Sequence, residues 1–540
     1  MGSGLSILQL RCGVPEDLGQ VLVRLHLVFD PMDGPETVTC SKYFVTLKWR
    51  LDRPDPNHFQ DRNEAATSAA ATRKGMPGES PMLPGHVDQR EIDKGELRLE
   101  DLIEAGRFLF VTQFNVLDGF GRPAATGDGK PTKRVAGSAP FMIRTSAPET
   151  NSCAGCHNQP VPGGAGDFVA NVFVLAQVRD PVTDSVSAEF SDERNTLGMH
   201  GSGAIEMLAR EMSTDLIGIR EAAKNEARMR GIPVTKALTT KGVNFGQIIA
   251  GPDGSIDTSK VEGVDGDLII KPYHQKGVVN SVRVFTVNAF NHHHGMEAVE
   301  RFGHDRTGED DFDEDGVPDE LSVGDITAAT IFQVSLPVPG RALPEERELR
   351  DSVRRGETAF TRIGCAGCHR TELILNNPVY SEPNPFNPPG NLRPQDVAHP
   401  FAFDLTQDGP RPHLERVSGG RAVVRAYTDL KRHKIADDDD PFFANERVIQ
   451  AGVPIDQFIT RKLWDVGSSA PYGHRGDLTT ISEAILHHAG EARPARESFA
   501  ALSAEDQVDI IAFLKTLQVL PEGSPNEITV KKIRAFKRQE

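Results

Sequence analysis

Two copies of one pentapeptide carry the most reactive side chains of this 540-residue sequence: Cys-Ala-Gly-Cys-His at Cys153 to His157, and again at Cys365 to His369. In each copy two thiols stand three residues apart, on one face of a helical turn, with an imidazole directly after the second. That order suits covalent attachment of two haem c groups. Cys153 with Cys156, and Cys365 with Cys368, would form thioethers to a porphyrin's vinyl groups, and His157 and His369 would ligate the irons. The same pairs could form half-sites for zinc, one joint four-thiolate zinc centre, or dithiol redox pairs. None of these needs a histidine at the next position twice.

An iron held on one side has a second axial position, so the other histidines are candidate ligands. Thr480 and Glu483 form a capping-box pair that starts a helix, and Ile481, Ala484, Ile485 and His488 then fall on one stripe. His488 therefore points inward and is expected to oppose His369, while His487 lies about a third of a turn away. For the first haem the candidates are His200 and the run His292, His293 and His294, with Glu297 beside that run as a candidate catalytic acid/base.

A second constellation is acidic. Asp311, Asp313, Asp315, Gly316 and Asp319 occupy positions 1, 3, 5, 6 and 9 of a calcium loop, so bound Ca2+ is an expectation. Position twelve is Ser322 instead of a bidentate glutamate, and Glu320 or Asp325 could supply the missing oxygens. Asp437 to Asp440 lack such spacing and read as a solvated loop. The glycine-rich Gly163 to Asp167 lacks the Lys-Ser/Thr ending of a phosphate loop and is expected to wrap the haem edge.

These residues need elements to hold them. Helical periodicity runs from Glu91 through Leu102, Phe108 and Phe110, again over Ala204 to Met212, and from Glu345 through Leu349, Val353 and Phe360. Gly251 to Val287 reads as strands and turns. Ser503 to Leu517 reads as a capped helix with Val508, Ile511, Leu514 and Leu517 on one face. The length calls for two or three domains. Their expected bounds are an extension and linker over 1–90, a haem domain over 91–340 with an insertion and the acidic loop, a second haem domain over 341–525, and a basic tail over 526–540.

A net charge of −17 argues against nucleic acid and anionic membranes as partners and suits a small basic redox protein. No apolar run reaches the ~18 residues of a membrane span. Cys12 and Cys40 are left over, free or paired. Haem attachment through thioethers implies a periplasmic location, although charged residues break the apolar run of the first thirty residues and no export signal is visible there.

The sequence resembles the bacterial dihaem cytochrome c peroxidase and MauG superfamily, most closely its thiol oxidoreductase-like branch of dihaem oxidoreductases. The resemblance rests on Ser152 to Pro160, Asn288 to Gly303 with its Asn-His-His-His-Gly-Met, Asp311 to Ala328, Arg355 to His369, Asp429 to His433 and Leu463 to Ala492. It implies a mainly α fold with two cytochrome c-like haem domains, long loops and a few short strands. In those peroxidases the second haem takes its sixth ligand fourteen residues after the histidine of a Pro-Tyr-x-His segment. Counted from His474, that position is His488. Histidine in place of methionine implies a bis-histidine haem of lowered potential. The expected function is a peroxidase-like oxidoreductase acting on hydrogen peroxide, reactive at the His157 haem and relaying electrons through the other. The alternatives are an electron carrier without catalysis, or an oxidase of a protein or thiol.

Overall fold

The computed structural model describes residues 80–121, 149–179, 182 and 190–530, all within the unit Lys74–Glu540. Most of the extension, with Cys12 and Cys40, and most of the basic tail lie outside the described residues.

Among the described residues, helix accounts for 35% and strand for 18%, spread over several small sheets. The fold is therefore mixed α/β, which overturns the expectation of a mainly α protein with two cytochrome c-like domains. The strand content is easy to miss because the sheets have only two or three short strands each. The clearest case is the hairpin of β3 (Val234–Thr240) and β4 (Val243–Ala250), extended by β5 (Ile256–Asp257). Its turn, Lys241-Gly242, has positive φ at both residues, the geometry a two-residue hairpin prefers. Alternation buries Val234, Leu238, Val243, Phe245 and Ile248. The stretch read as strands over Gly251 to Val287 contributes only β5, and its end is a helix.

Seven helices position the residues of interest: α1 (Leu99–Val111), α2 (Ser202–Arg230), α3 (Val282–Ala289), α4 (Val323–Ser335), α5 (Arg347–Arg362), α6 (Ile481–Leu486) and α7 (Ala504–Lys515). The amphipathic window at Ala204 to Met212 thus opens a 29-residue helix, almost continuously buried over its first three turns. Serine caps start α3, α4 and α7, through Ser281, Ser322 and Ser503. In α7 the buried residues are Asp509, Ile510, Phe513 and Leu514, whereas Val508 is exposed. The face read from sequence is therefore rotated, because Asp509 is drawn inward by hydrogen bonds from Ser352 and Arg355.

Two helix pairs repeat one packing device. Gly106 of α1 lies so close to α4 that a Cβ there would fall 2.0 Å from the Ala328 carbonyl oxygen. Gly356 of α5 approaches α7 in the same way, 1.9 Å from the Asp509 carbonyl oxygen. Only glycine lets the backbones come this close. Four residues further on, Phe110 and Phe360 meet Phe332 and Phe513 with ring centres 5.2 and 5.5 Å apart. Each Cys-Ala-Gly-Cys-His copy follows the first helix of its pair.

The remaining strands tie the chain together. β1 (Val169–Phe173) pairs antiparallel with β2 (Ser191–Asn195), and β6 (Gly340–Pro344) sits between Leu517–Gln518 and the parallel strand Glu527–Val530. Among the described residues, no helix is long and apolar enough to cross a membrane.

Candidate functional site

Each motif copy opens onto a cavity. The first is lined by Cys153, Cys156, His157, His274, His293 and His294 among others, and the second by Cys365, Cys368, His369, His433 and His488. Counting their open mouths, the spaces are about 1380 and 1720 Å³. None of the four thiols is in a disulfide. Burial pushes the Cys153 thiol up to about 12 and that of Cys365 up to about 11, so both are neutral at physiological pH.

The motif histidines are set alike. Each closes its turn by donating its backbone N–H to the first cysteine's carbonyl, His157 to Cys153 and His369 to Cys365. Each ring then donates Nδ1–H to a carbonyl, that of Leu197 at 2.9 Å and that of Tyr427 at 3.0 Å. A carbonyl only accepts, so the proton is fixed on Nδ1 and the Nε2 lone pair is left for a metal. Burial pushes both imidazoles down to about 4, which keeps them neutral and able to ligate. Phe110 and Phe360 stand 6.2 and 6.3 Å from the two rings, each at 50°.

Across the second cavity, His488 faces His369 with ring centres 6.5 Å apart. Its Nδ1 donates to the Ala484 carbonyl at 2.7 Å, again leaving Nε2. Two imidazoles bonded to one metal at ~2.0–2.1 Å, with ~1.1 Å from nitrogen to ring centre, stand about 6.3 Å apart. The pair is thus spaced for a shared metal, and the apolar walls from Phe360, Ile481, Ile485, Phe499 and Leu514 suit a flat hydrophobic ring system. The capping box at Thr480 and Glu483 forms as read, but α6 ends at Leu486. His488 is instead carried by its backbone bond to Ile485 and by the next turn, where Asp437 accepts from Gly490 N and from Arg493. Asp440 likewise pairs with Arg496. The aspartate run is therefore a clamp on the His488 segment, where a solvated loop was expected.

At the first cavity, no described histidine faces His157 as His488 faces His369. His294 is engaged on both sides, Nδ1 with the Thr150 carbonyl at 2.6 Å and Nε2 with Cys153 Sγ at 3.3 Å. His293 Nδ1 meets the buried carboxylate of Glu149 at 2.7 Å, while its ring keeps partial exposure to the cavity. Glu149 is itself held by the backbone and side-chain amides of Asn171. His274 is half-buried, its Nε2 buried and unpartnered, and desolvation pushes it down to about 3. Neither His200 nor His292 lines the cavity. His200 donates to the Pro337 carbonyl, and His292 packs against Phe173.

Glu297, read from sequence as the acid/base, lines neither cavity. It lies instead with Asp313 and Glu320, one oxygen of each within 4.8 Å of the others, beside the triad of Asp311, Asp313 and Asp315. Asp319 stands outside both groups in a left-handed conformation at φ 50°, and Ser322 caps α4. Burial, with Asp313 and Glu297 close by, holds the Glu320 carboxyl well above the usual carboxylate range.

Sequence reasoning missed Glu149 and His274, which carry no motif, and His433 at the second cavity. Although burial opposes its charge, hydrogen bonds to Asp429 and Cys368 push His433 up to about 11. Between the cavities runs a shared wall, Asn195 to Gly198 and Ile459 to Lys462, which lines both. Lys462 ties its two strips together by donating to the Gly198 carbonyl at 2.8 Å.

No family model and no curated protein matches this chain. Among solved structures, hydrazine synthase of Kuenenia stuttgartiensis, from a crystal pressurised with xenon, aligns over 82% of this chain and 95% of its own at 13% identity. The TM-score is 0.34, too low to bear on fold or function.

Proposed function

We propose that the chain is a dihaem c oxidoreductase in which the His157 cavity is the reactive one and the His369 cavity relays electrons. The observation that carries this reading is the His369–His488 pair, two neutral imidazoles 6.5 Å apart across a cavity that also presents both cysteines of a Cys-x-x-Cys-His motif. When bound, the haem groups would supply one-electron redox chemistry and, at an open axial position, a place for peroxide.

The chain's own part is to bind, orient and move protons. Nδ1–H bonds to Tyr427 and Ala484 fix the second pair of rings, and the bond to Leu197 fixes His157. At the first cavity Glu149 holds His293 through Nδ1, which leaves Nε2 to take a proton from one oxygen of a bound peroxide and return it to the other. His293 replaces Glu297 in that role, since Glu297 does not reach the cavity. The shared wall gives a short covalent and hydrogen-bonded route between the cavities, because Leu197 both lines the second and accepts from His157.

The test is a spectrum of the protein matured in a compartment that attaches haem, oxidised and reduced, followed by peroxide titration. Expected are covalent haem staining, one low-spin bis-histidine component and one component that responds to peroxide. Absence of covalent haem would overturn the haem reading. Two low-spin components inert to peroxide would leave an electron carrier.

A further inference from the structure

The acidic loop points to a ligand of its own. Glu320 is 3% exposed, and its Oε1 is buried without a hydrogen-bond partner, while Oε2 accepts from the Glu297 backbone N–H at 2.6 Å. The charges that act most on Glu320 are those of Asp313, Glu297 and Asp315, all carboxylates. Asp313, at 1% exposure, belongs to both oxygen groups and so joins the Asp311–Asp315 triad to Glu297 and Glu320. Several carboxylates gathered away from water cost folding energy unless a cation offsets their charge.

We infer that Asp311, Asp313, Asp315, Glu320 and Glu297 bind a calcium ion that braces the segment carrying His292 to His294. The donors are hard oxygens in a number that suits calcium's six to eight ligands, and no nitrogen or sulfur stands among them. Glu320, just before the turn into α4, and Glu297, from the segment bridged to it through Ala298 and Leu321, take the place of the glutamate missing at position twelve. The site is built against the Asp118-Gly119 turn. A Cβ at Gly119, where φ is +88°, would fall 2.2 Å from the Glu320 carboxyl carbon, so glycine is what allows the carboxylate to lie there. Glu297 is three residues beyond His294, and its N–H is held by Glu320. Cation binding would thereby fix the chain that leads out of the histidine run, a consequence independent of whether haem is bound.

The test uses the full-length protein as isolated, dialysed against a chelator and titrated with CaCl2 by calorimetry. Thermal melting and hydrogen exchange are then measured with and without about 2 mM calcium, chosen to exceed the ~10⁻⁴–10⁻³ M range of extracellular calcium modules. Expected are one calcium per chain, a higher Tm, and slower exchange in both 311–322 and 291–297. Asp313→Asn should weaken binding at least about tenfold. Should that variant fail to fold, Glu320→Gln serves. It relieves like-charge repulsion, so it should raise the Tm of the calcium-free protein while shrinking the increment that calcium adds. The inference is overturned by absence of any calcium response, by equal affinity for magnesium, or by a response that neither substitution changes.

Discussion

The two motif regions are built alike up to the cavity-facing nitrogen and differ beyond it. In each, a glycine-mediated helix crossing leads to a phenylalanine, a Cys-Ala-Gly-Cys-His turn and an imidazole fixed through Nδ1 on a carbonyl. Past that point the second cavity offers a facing histidine, and the first offers a histidine leaning on a buried glutamate. A ligand that faces the metal saturates it, whereas a proton carrier beside an open position lets it react. Under the proposed function, the repeated half of the design would hold a cofactor, and the unrepeated half would set what that cofactor does.

The comparison breaks most severely at His293. His293→Gln should lower the peroxide-dependent rate about 10²–10⁴-fold, the usual worth of a placed acid/base, and leave the spectrum of the resting protein unchanged. Glu149→Gln should lower the same rate by less, because the imidazole remains but loses the partner that orients it. If the rate survives both changes, the first cavity is not distinguished by proton transfer and the contrast between the cavities fails.

His488→Ala attacks the other side. Only the second component of the spectrum should change, from low-spin bis-histidine to a form with one open position, and its midpoint potential should rise. An unchanged spectrum would refute His488 as the facing ligand. The variant also tests the asymmetry, since a second peroxide-responsive component should appear where none existed.

The inward position of His488 was legible in the sequence because the capping box that starts α6 is local, although the helix ends at Leu486 and the Asp437 clamp that carries His488, some fifty residues away, was not. His157 and His369 were legible because each closes a Cys-Ala-Gly-Cys-His pentapeptide. Glu149 was not, since its meaning comes from His293, 144 residues away, and from Asn171. The fold class misled for a related reason. Helical periods accumulate over many residues, whereas strands of two to eight residues leave little signal, and their pairings cross long separations, as when Glu527–Val530 returns to Gly340–Pro344. The rotated face of α7 has the same origin, for nothing near Asp509 announces Arg355 as its partner.

The shared half of the design can be probed by Gly106→Ala and Gly356→Ala. Each puts a Cβ well inside van der Waals contact with a neighbouring carbonyl oxygen, so the helices must separate, at a cost of about 1–3 kcal/mol each. Chemical denaturation should show comparable losses for the two, which is the sharper form of the claim that they are equivalent. A large loss at one and none at the other would mean that the two crossings resemble each other in geometry only.

The smallest effect separates the supports of the two histidine segments. Asp437 accepts hydrogen bonds from Arg493 and Gly490, which hold its carboxyl well below the usual carboxylate range. A folded-state pKa depressed in this way contributes stability that is complete above the unfolded value of ~3.9 and is lost as pH falls through the folded one. Asp437→Asn should therefore leave a shallower acid limb below about pH 4, with a small loss at neutral pH, as expected for an ion pair still open to solvent on one side. The change should be read in the melting of the His488 segment by hydrogen exchange. The segment of His293, whose support is the buried Glu149 and not a half-buried aspartate clamp, should keep its protection in the same variant.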